Sequence, residues 1–176
     1  MLELLTKRRS IRKYKDEVPP REVVDKLVKA ALLSPTSKNS RPWEIVVVDD
    51  REILQKLSRA KDYGSTFLKN APVGIVILAD SAKSDVWVED ASIAATIIQL
   101  TAEDLGLGSC WIQIRKRMHD GNKTAEECVK EILGIPANIN VEAIVALGYP
   151  DEIKEPHSEE SLPYEKVYRN TYGNKY

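Results

Sequence analysis

The sequence predicts a single domain of interleaved helices and buried strands, distinct from the doubly wound dinucleotide-binding folds. Three observations predict it. Apolar residues recur at helical spacing in some segments and run as short β-branched stretches in others. In the first third of the 176 residues, these two kinds of segment do not alternate one for one. The glycines of GLGS (106–109) follow a helical segment and precede a strand, whereas the dinucleotide-binding fingerprint needs strand, glycine turn and helix in that order. No G-x-x-x-x-G-K-S/T stretch exists, so a P-loop is excluded as well. A chain of this length builds one sizeable core, not two.

The elements follow in order. LELLTKR (2–8) reads as a short helix running into a basic stretch. Across 19–35, Val23, Val24, Leu27, Val28, Ala31 and Leu32 fall at helical spacing, with Pro20 suited to the start and Pro35 just past the end. WEIVVVDD (43–50) is a β-branched run ended by acids, hence a buried strand. REILQKLSRA (51–60) is a surface helix with Ile53, Leu54 and Leu57 inward, and VGIVILAD (73–80) is a second buried strand entered by Pro72.

The segment 86–108 is apolar on most sides, because Ile93, Ile97 and Leu100 lie off the face formed by Ala91, Ala94, Ala95, Ile98 and Ala102. A helix of that kind is buried on most sides. Its small residues admit another helix closely, which predicts a core helix also used between subunits. Gly106 or Gly108 is placed to end it in the left-handed conformation. SCWIQI (109–114) is a third strand, TAEECVKEILG (124–134) an amphipathic helix, and VEAIVALGYP (141–150) a fourth strand. The last fourteen residues hold four tyrosines, too aromatic for a disordered tail, so this end is expected to pack, with a partner subunit as the candidate.

Charge narrows the function. Lys and Arg number 26 against 27 Asp and Glu, for a net charge of −1. Yet TKRRSIRKYK (6–15) alone carries six cations, Lys7, Arg8, Arg9, Arg12, Lys13 and Lys15, and subtracting its +6 leaves −7 on the rest. A nucleic-acid binder spreads positive charge over a face, so no nucleic-acid partner is expected. No apolar run approaches the ~20 residues of a membrane span and no signal peptide precedes the basic stretch, which predicts a cytoplasmic protein with no membrane partner.

Catalytic side chains are scarce. Cys110 and Cys128 have no metal-ligand spacing and read as buried reduced thiols. His119 and His157 stand in polar, loop-like contexts and form no H-E-x-x-H, and no G-x-S-x-G elbow occurs. No catalytic residue and no metal site is therefore assigned, and an enzyme of this sequence needs a bound cofactor to carry the reaction.

Two stretches are suited to hold one. Arg8, Arg9, Ser10 and Arg12 combine forked guanidinium donors with a hydroxyl, a set that matches the oxygens of a single phosphate. Lys7, Lys13 and Lys15 read as solvated. SPTSKNSRPWE (34–44) crowds hydroxyls and an amide into a turn. Taken alone, it reads as a turn that satisfies its own backbone.

Together, RRSIRKY (8–14), SPTSKNSRPWEIVVV (34–48) and DASIAATIIQLTAEDLGLGSCWI (90–112) resemble the nitroreductase family in order and spacing, over residues 3 to about 150. The resemblance implies an α+β fold in one domain, 1–176, with a central, mainly antiparallel sheet flanked by helices. It implies an interlocked homodimer whose C-terminal extension, 151–176, reaches the partner. It also implies flavin mononucleotide (FMN) at the subunit interface. Arg8, Arg9, Ser10 and Arg12 would hold its phosphate and ribityl chain. Pro35, Thr36, Ser37 and Asn39 would approach from the other subunit, and Trp111, Ile112 and Gln113 would run beside the ring. Arg169, with Lys166 as the nearby alternative, would complete the phosphate site.

The implied activity takes hydride from NADH or NADPH and reduces a small-molecule acceptor, a nitroaromatic or quinone, by a ping-pong cycle. The alternative is an FMN-binding protein of the same fold with another specific reaction, or with a sensory or storage role. The chain departs from its relatives after Cys110, reading CWIQIRKRMHDGNK (110–123) where many have glycine and small residues. Gln113 thus stands where a main-chain amide is expected to meet the flavin. The connections at 81–88 and 115–124 are short, leaving less protein to cover the ring. No basic residue in 63–69 is assigned to the ring's pyrimidine edge.

Overall fold

Every residue from Val73 to Ala79 is buried, and a strand with no polar face has to lie between two layers. The computed structural model, which describes residues 1–176, arranges those layers around a four-stranded sheet. Its strands are β1 (Trp43–Val48), β2 (Val73–Asp80), β3 (Gly108–Gln113) and β4 (Ile139–Gly148), in the order β1-β2-β4-β3. Every neighbouring pair is antiparallel. The helices are α1 (Leu2–Lys7), α2 (Arg21–Leu32), α3 (Arg51–Leu57), α4 (Trp87–Asp104) and α5 (Ala125–Leu133).

One face of the sheet packs Ile75, Ile77 and Val145 against Leu27 of α2 and Ala95 and Ile98 of α4. The other packs Val76, Leu78 and Ile144 with Leu54 and Leu57 of α3 and Val129 of α5. Alternation along each strand sends successive side chains to the two layers. No helix is long and apolar enough to cross a membrane.

The helix ends follow local chemistry. The Asp50 carboxylate accepts the Ile53 N–H at the start of α3, and Thr124 with Glu127 forms a reciprocal capping box on α5. Helix α4 ends at Gly106, whose φ is +74°. The Leu107 N–H bonds the Ala102 carbonyl at 2.8 Å and the Gly106 N–H bonds that of Glu103 at 3.1 Å, a left-handed termination.

One sequence expectation needs correction. Leu32 does not join the core face of α2: it is 50% exposed, because the helix has already turned past the sheet where Ala31 is buried. Helix α4 buries Ala91, Ala94, Ala95, Ile98 and Ala102 within this chain. Ile93 is exposed, and Ile97 and Leu100 border a shallow groove with Met1 and Leu4.

The chain's two ends run together. From Asp151 to His157 the chain lies along residues 6–13. The Asp151 N–H donates to Lys13 C=O at 2.9 Å and the His157 N–H to Thr6 C=O at 3.0 Å. Beyond it, the tyrosine-rich terminus folds on itself, with the Tyr168 and Tyr172 rings packed at a 46° tilt and 4.6 Å between centroids. Tyr164, Tyr172 and Tyr176 are exposed and pack on no part of this chain's core.

Candidate functional site

The basic stretch is held in place by a pair of glycines. Gly108 and Gly148 face one another across β3 and β4. A Cβ on Gly108 would lie 2.7 Å from Ile11 Cγ2, and one on Gly148 would lie 2.6 Å from Pro72 Cδ and 3.0 Å from Tyr14 Cδ1. Both distances are too short for packed carbon atoms, so glycine lets residues 10–14 lie flat on the end of the sheet. There the Ile11 N–H donates to Ser109 C=O at 3.0 Å. The buried Tyr14 hydroxyl donates to Ile11 C=O at 2.5 Å, and burial pushes its phenol pKa up.

The C-terminal segment clamps this stretch. The Glu152 carboxylate accepts the N–H groups of Arg12 at 2.5 Å and Lys13 at 3.2 Å. The Lys154 ammonium donates to Ser10 C=O at 2.6 Å, and the Arg9 guanidinium donates to Glu155 C=O. Arg8, Ser10, Arg12 and Lys154 all gather near the Cys110 thiol. Burial pushes that thiol's pKa up, against the pull of Arg12, the Ser10 hydroxyl, Lys154 and Arg8. Arg12 Nη1 and Lys154 Nζ both donate to Ser10 C=O, at 3.4 and 2.6 Å, and Lys154 also pairs with Glu152 at 3.6 Å; with Arg8 and the Ser10 hydroxyl they form a donor set suited to a doubly charged anion.

Beside this cradle runs an open strand edge. Strand β3 ends the sheet order, and antiparallel alternation turns the main-chain groups of Ser109, Trp111 and Gln113 away from β4. Ser109 C=O is taken by Ile11, and Gln113 C=O accepts from the Lys61 ammonium at 3.3 Å. Burial, then the charge of Arg117, lowers the Lys61 pKa. Ile112 points the opposite way and is buried in the core.

The Gln113 side chain is committed elsewhere. Its Oε1 accepts the Trp111 indole N–H at 2.9 Å, and its Nε2 donates to Arg115 C=O at 3.1 Å and to Glu142 Oε1 at 3.3 Å. Burial raises the Glu142 pKa, and its Oε2 is buried with no hydrogen-bond partner. The bulky residue therefore folds away from the strand edge and leaves its amide there.

The loop 34–42 lies at the diagonally opposite corner of the sheet, before the start of β1. By strand rise and spacing, that corner is roughly 25 Å from the basic cradle. Buried Asp90 in the first turn of α4 anchors the loop. Its Oδ1 accepts the Ser37 N–H at 2.9 Å and its Oδ2 accepts the Ser84 hydroxyl at 2.9 Å. Lys38, Asn39 and Arg41 all adopt positive φ. Thr36 Oγ1 accepts the Arg41 N–H, and Asn39 Oδ1 accepts from Arg41 Nε, each at 3.1 Å. Those two side chains thus satisfy the loop's own groups, as an isolated turn would, while Pro35 is exposed. Ser40 Oγ and Trp43 Nε1 remain buried without a partner.

The structure thus gathers Arg8, Ser10 and Arg12 with the β3 edge in one region and leaves Pro35, Thr36, Ser37 and Asn39 in another. Arg169 and Lys166 sit in the C-terminal turns, where the Arg169 N–H bonds Asn174 C=O at 2.8 Å. Within this chain Lys154, not Arg169, reaches the cradle. Sequence reasoning missed Lys154 and Lys61, because each acts across a long sequence separation. The one local signal was Lys154 standing a few residues beyond the strand that ends beside Tyr14.

Comparison with known proteins identifies the family. The Nitroreductase family model matches residues 5–61 and 55–149. A protein of Archaeoglobus fulgidus, provisionally named NADH dehydrogenase/NAD(P)H nitroreductase, is 41% identical over 158 residues, covering 88% of this chain and 87% of that protein. A Bacillus subtilis protein named FMN reductase [NAD(P)H] is 28% identical over 199 residues, covering 99% of this chain and 75% of that one. The solved structure of an FMN-dependent nitroreductase from Clostridium difficile R20291 superposes with a TM-score of 0.96 at 53% identity. It covers 98% of this chain and 100% of that one.

Proposed function

This chain belongs to the nitroreductase family, and on that premise we propose that it is an FMN-dependent oxidoreductase. It takes hydride from NADH or NADPH and passes the electrons to a nitroaromatic, quinone or similar acceptor in a ping-pong cycle. The observation that carries this reading is the cationic cradle of Arg8, Ser10, Arg12 and Lys154 in line with the open edge of β3.

The residues present fit the cofactor. The cradle supplies donors for a phosphate, and the outward main-chain groups of Trp111 and Gln113 supply donors and acceptors for a planar ring edge. Lys61, held at Gln113 C=O, places positive charge where a reduced ring would gain negative charge. When bound, FMN supplies two-electron redox chemistry between the nicotinamide and the acceptor. The protein's share is to fix the phosphate, present the amides and supply the cation. Because the Gln113 side chain is bonded to Trp111 and Glu142, it does not obstruct this edge.

The loop 34–42 supports a homodimer as the working form. Its Pro35, Thr36, Ser37 and Asn39 lie too far from the cradle to share a ligand within one chain. A second copy brings that loop to the first copy's cradle, and the exposed tyrosine-rich terminus supplies an arm to hold the pair. Arg169 would then act across the subunit boundary.

The test is the absorbance spectrum after adding FMN and removing the excess. Bound oxidised flavin that bleaches on anaerobic mixing with NADH or NADPH is the expected result, and protein that retains no flavin overturns it. Arg12→Glu should weaken FMN binding roughly 10- to 100-fold, the scale of one or two charged hydrogen bonds, read by quenching of flavin fluorescence. Unchanged retention would move the phosphate site elsewhere.

A further inference from the structure

The connection 114–124 carries a second group of cations that the flavin reading does not use. Arg115 and Lys123 are paired, with Glu142 at 3.9 Å and with Glu131 respectively. Lys116 and Arg117 have no carboxylate within ion-pair distance, and neither does Lys61 across from them. Lys116 and Arg117, together with Lys61 of the flavin edge and with Asp62, Tyr63 and Met118, line a cleft of about 370 Å³. It opens beside Gln113, at the end of the β3 edge away from the phosphate cradle.

The cleft is built rather than incidental. Its walls are joined by the Asp62 N–H donating to Met118 C=O at 3.1 Å and by His119 Nδ1 lying 3.0 Å from Arg59 C=O. The turn at 114–117 closes through the Arg117 N–H on Ile114 C=O at 3.1 Å. That turn holds Lys116 at φ 56°, a conformation that costs a residue with a long side chain about 1 kcal/mol or more and that glycine or asparagine adopts freely. A cation is kept there against the local preference. Tyr63 is 85% exposed and Met118 44%, so an aromatic face and a polarisable thioether stand beside the unpaired charges.

We propose that this cleft binds the anionic group of a planar aromatic redox partner, and that Lys116 and Arg117 select for it. The recognised chemistry is a carboxylate or sulfonate on the acceptor, or a phosphate on the nicotinamide donor. The inference rests on the flavin reading above, since the cleft matters only beside a ring held at the β3 edge.

The experiment uses the FMN-loaded protein and two probes, 4-nitrobenzoate and uncharged 4-nitrobenzamide. Their affinities are measured by titration calorimetry without nicotinamide. 4-Nitrobenzoate should bind roughly three- to tenfold more tightly, the scale of two exposed ion pairs, and the preference should shrink at high salt. The double variant Lys116→Asn/Arg117→Gln should abolish it, with asparagine chosen because it tolerates the positive φ.

A second arm compares NADPH with NADH, using an uncharged quinone as acceptor. A ratio of their KM values that shifts in the double variant assigns the anion to the donor. An unmoved ratio with a lost nitrobenzoate preference assigns it to the acceptor. Equal binding of both probes together with an unmoved ratio overturns the inference, as does a preference that survives the double substitution. Protein that takes up no FMN overturns the flavin reading and this inference with it. Flavin uptake without anion selectivity overturns this inference alone.

Discussion

Residues 6–15 and residues 115–123 are both rich in cations, and the fold treats them in opposite ways. The first stretch is stapled along its length. Glu152 takes the amides of Arg12 and Lys13, Lys154 takes Ser10 C=O, Arg9 takes Glu155 C=O, and two glycines let the backbone lie against the sheet. The second stretch has its ends tied by Arg115–Glu142 and Lys123–Glu131, while Lys116 and Arg117 between them are left free. A ligand that never leaves is served by a rigid site whose ordering cost is met during folding. One that enters and departs each turnover is served by charges that solvent holds in the meantime. The difference is one of preorganisation, not of charge count.

That contrast is open to direct test. The largest expected effect comes from removing the glycine platform. Gly148→Ala forces a carbon against Pro72 and Tyr14 and should destabilise the fold by about 1–3 kcal/mol, read as a lower urea midpoint. It should also loosen FMN binding. A variant with unchanged stability would show that the stretch does not depend on close approach.

Next in size is Lys154→Ala, which removes both a staple and a cation from the cradle. It should weaken FMN roughly tenfold, whereas neutralising Lys116 and Arg117 should leave FMN affinity within about twofold. If both substitutions moved FMN affinity equally, the distinction between the two stretches would fail.

A smaller effect concerns pH. The N–H groups of Arg12 and then Lys13 hold the Glu152 carboxyl below its ordinary value. For an acid with a depressed folded pKa, the added stability is present above the ordinary carboxylate value of about 4.3 and is lost as pH falls through the lower folded value. Amide exchange at Arg12 and Lys13 should therefore stay protected at pH 5 and speed up, relative to Glu152→Gln, only on further acidification. Protection that is already lost at pH 5 would contradict the clamp. The smallest effect belongs to Lys15→Gln, whose side chain is solvated: within about 0.5 kcal/mol in stability.

Much of this was legible in the order of the residues. The nine regular elements fall within a few residues of where apolar spacing, prolines and caps place them. The basic stretch was readable as a candidate phosphate site because guanidinium forks and a hydroxyl cluster within five residues, Arg8 to Arg12. Other features were not readable. Nothing local distinguishes Gly106, which ends α4, from Gly108, which admits Ile11. The direction of the Gln113 side chain depends on Glu142, a residue on another strand. The freedom of Lys116 and Arg117 depends on where every carboxylate comes to rest.

The sequence by itself determined the elements, the family and the chemical nature of the basic stretch, because helical and strand periods and donor type are properties of neighbours in the chain. Only the tertiary structure decided the strand order β1-β2-β4-β3. It alone decided that Lys154 rather than Arg169 reaches the cradle of its own chain, and that the loop at 34–42 faces away from it. Those facts rest on contacts between residues far apart in the chain, whose meeting is set by how the two buried faces of the sheet are covered.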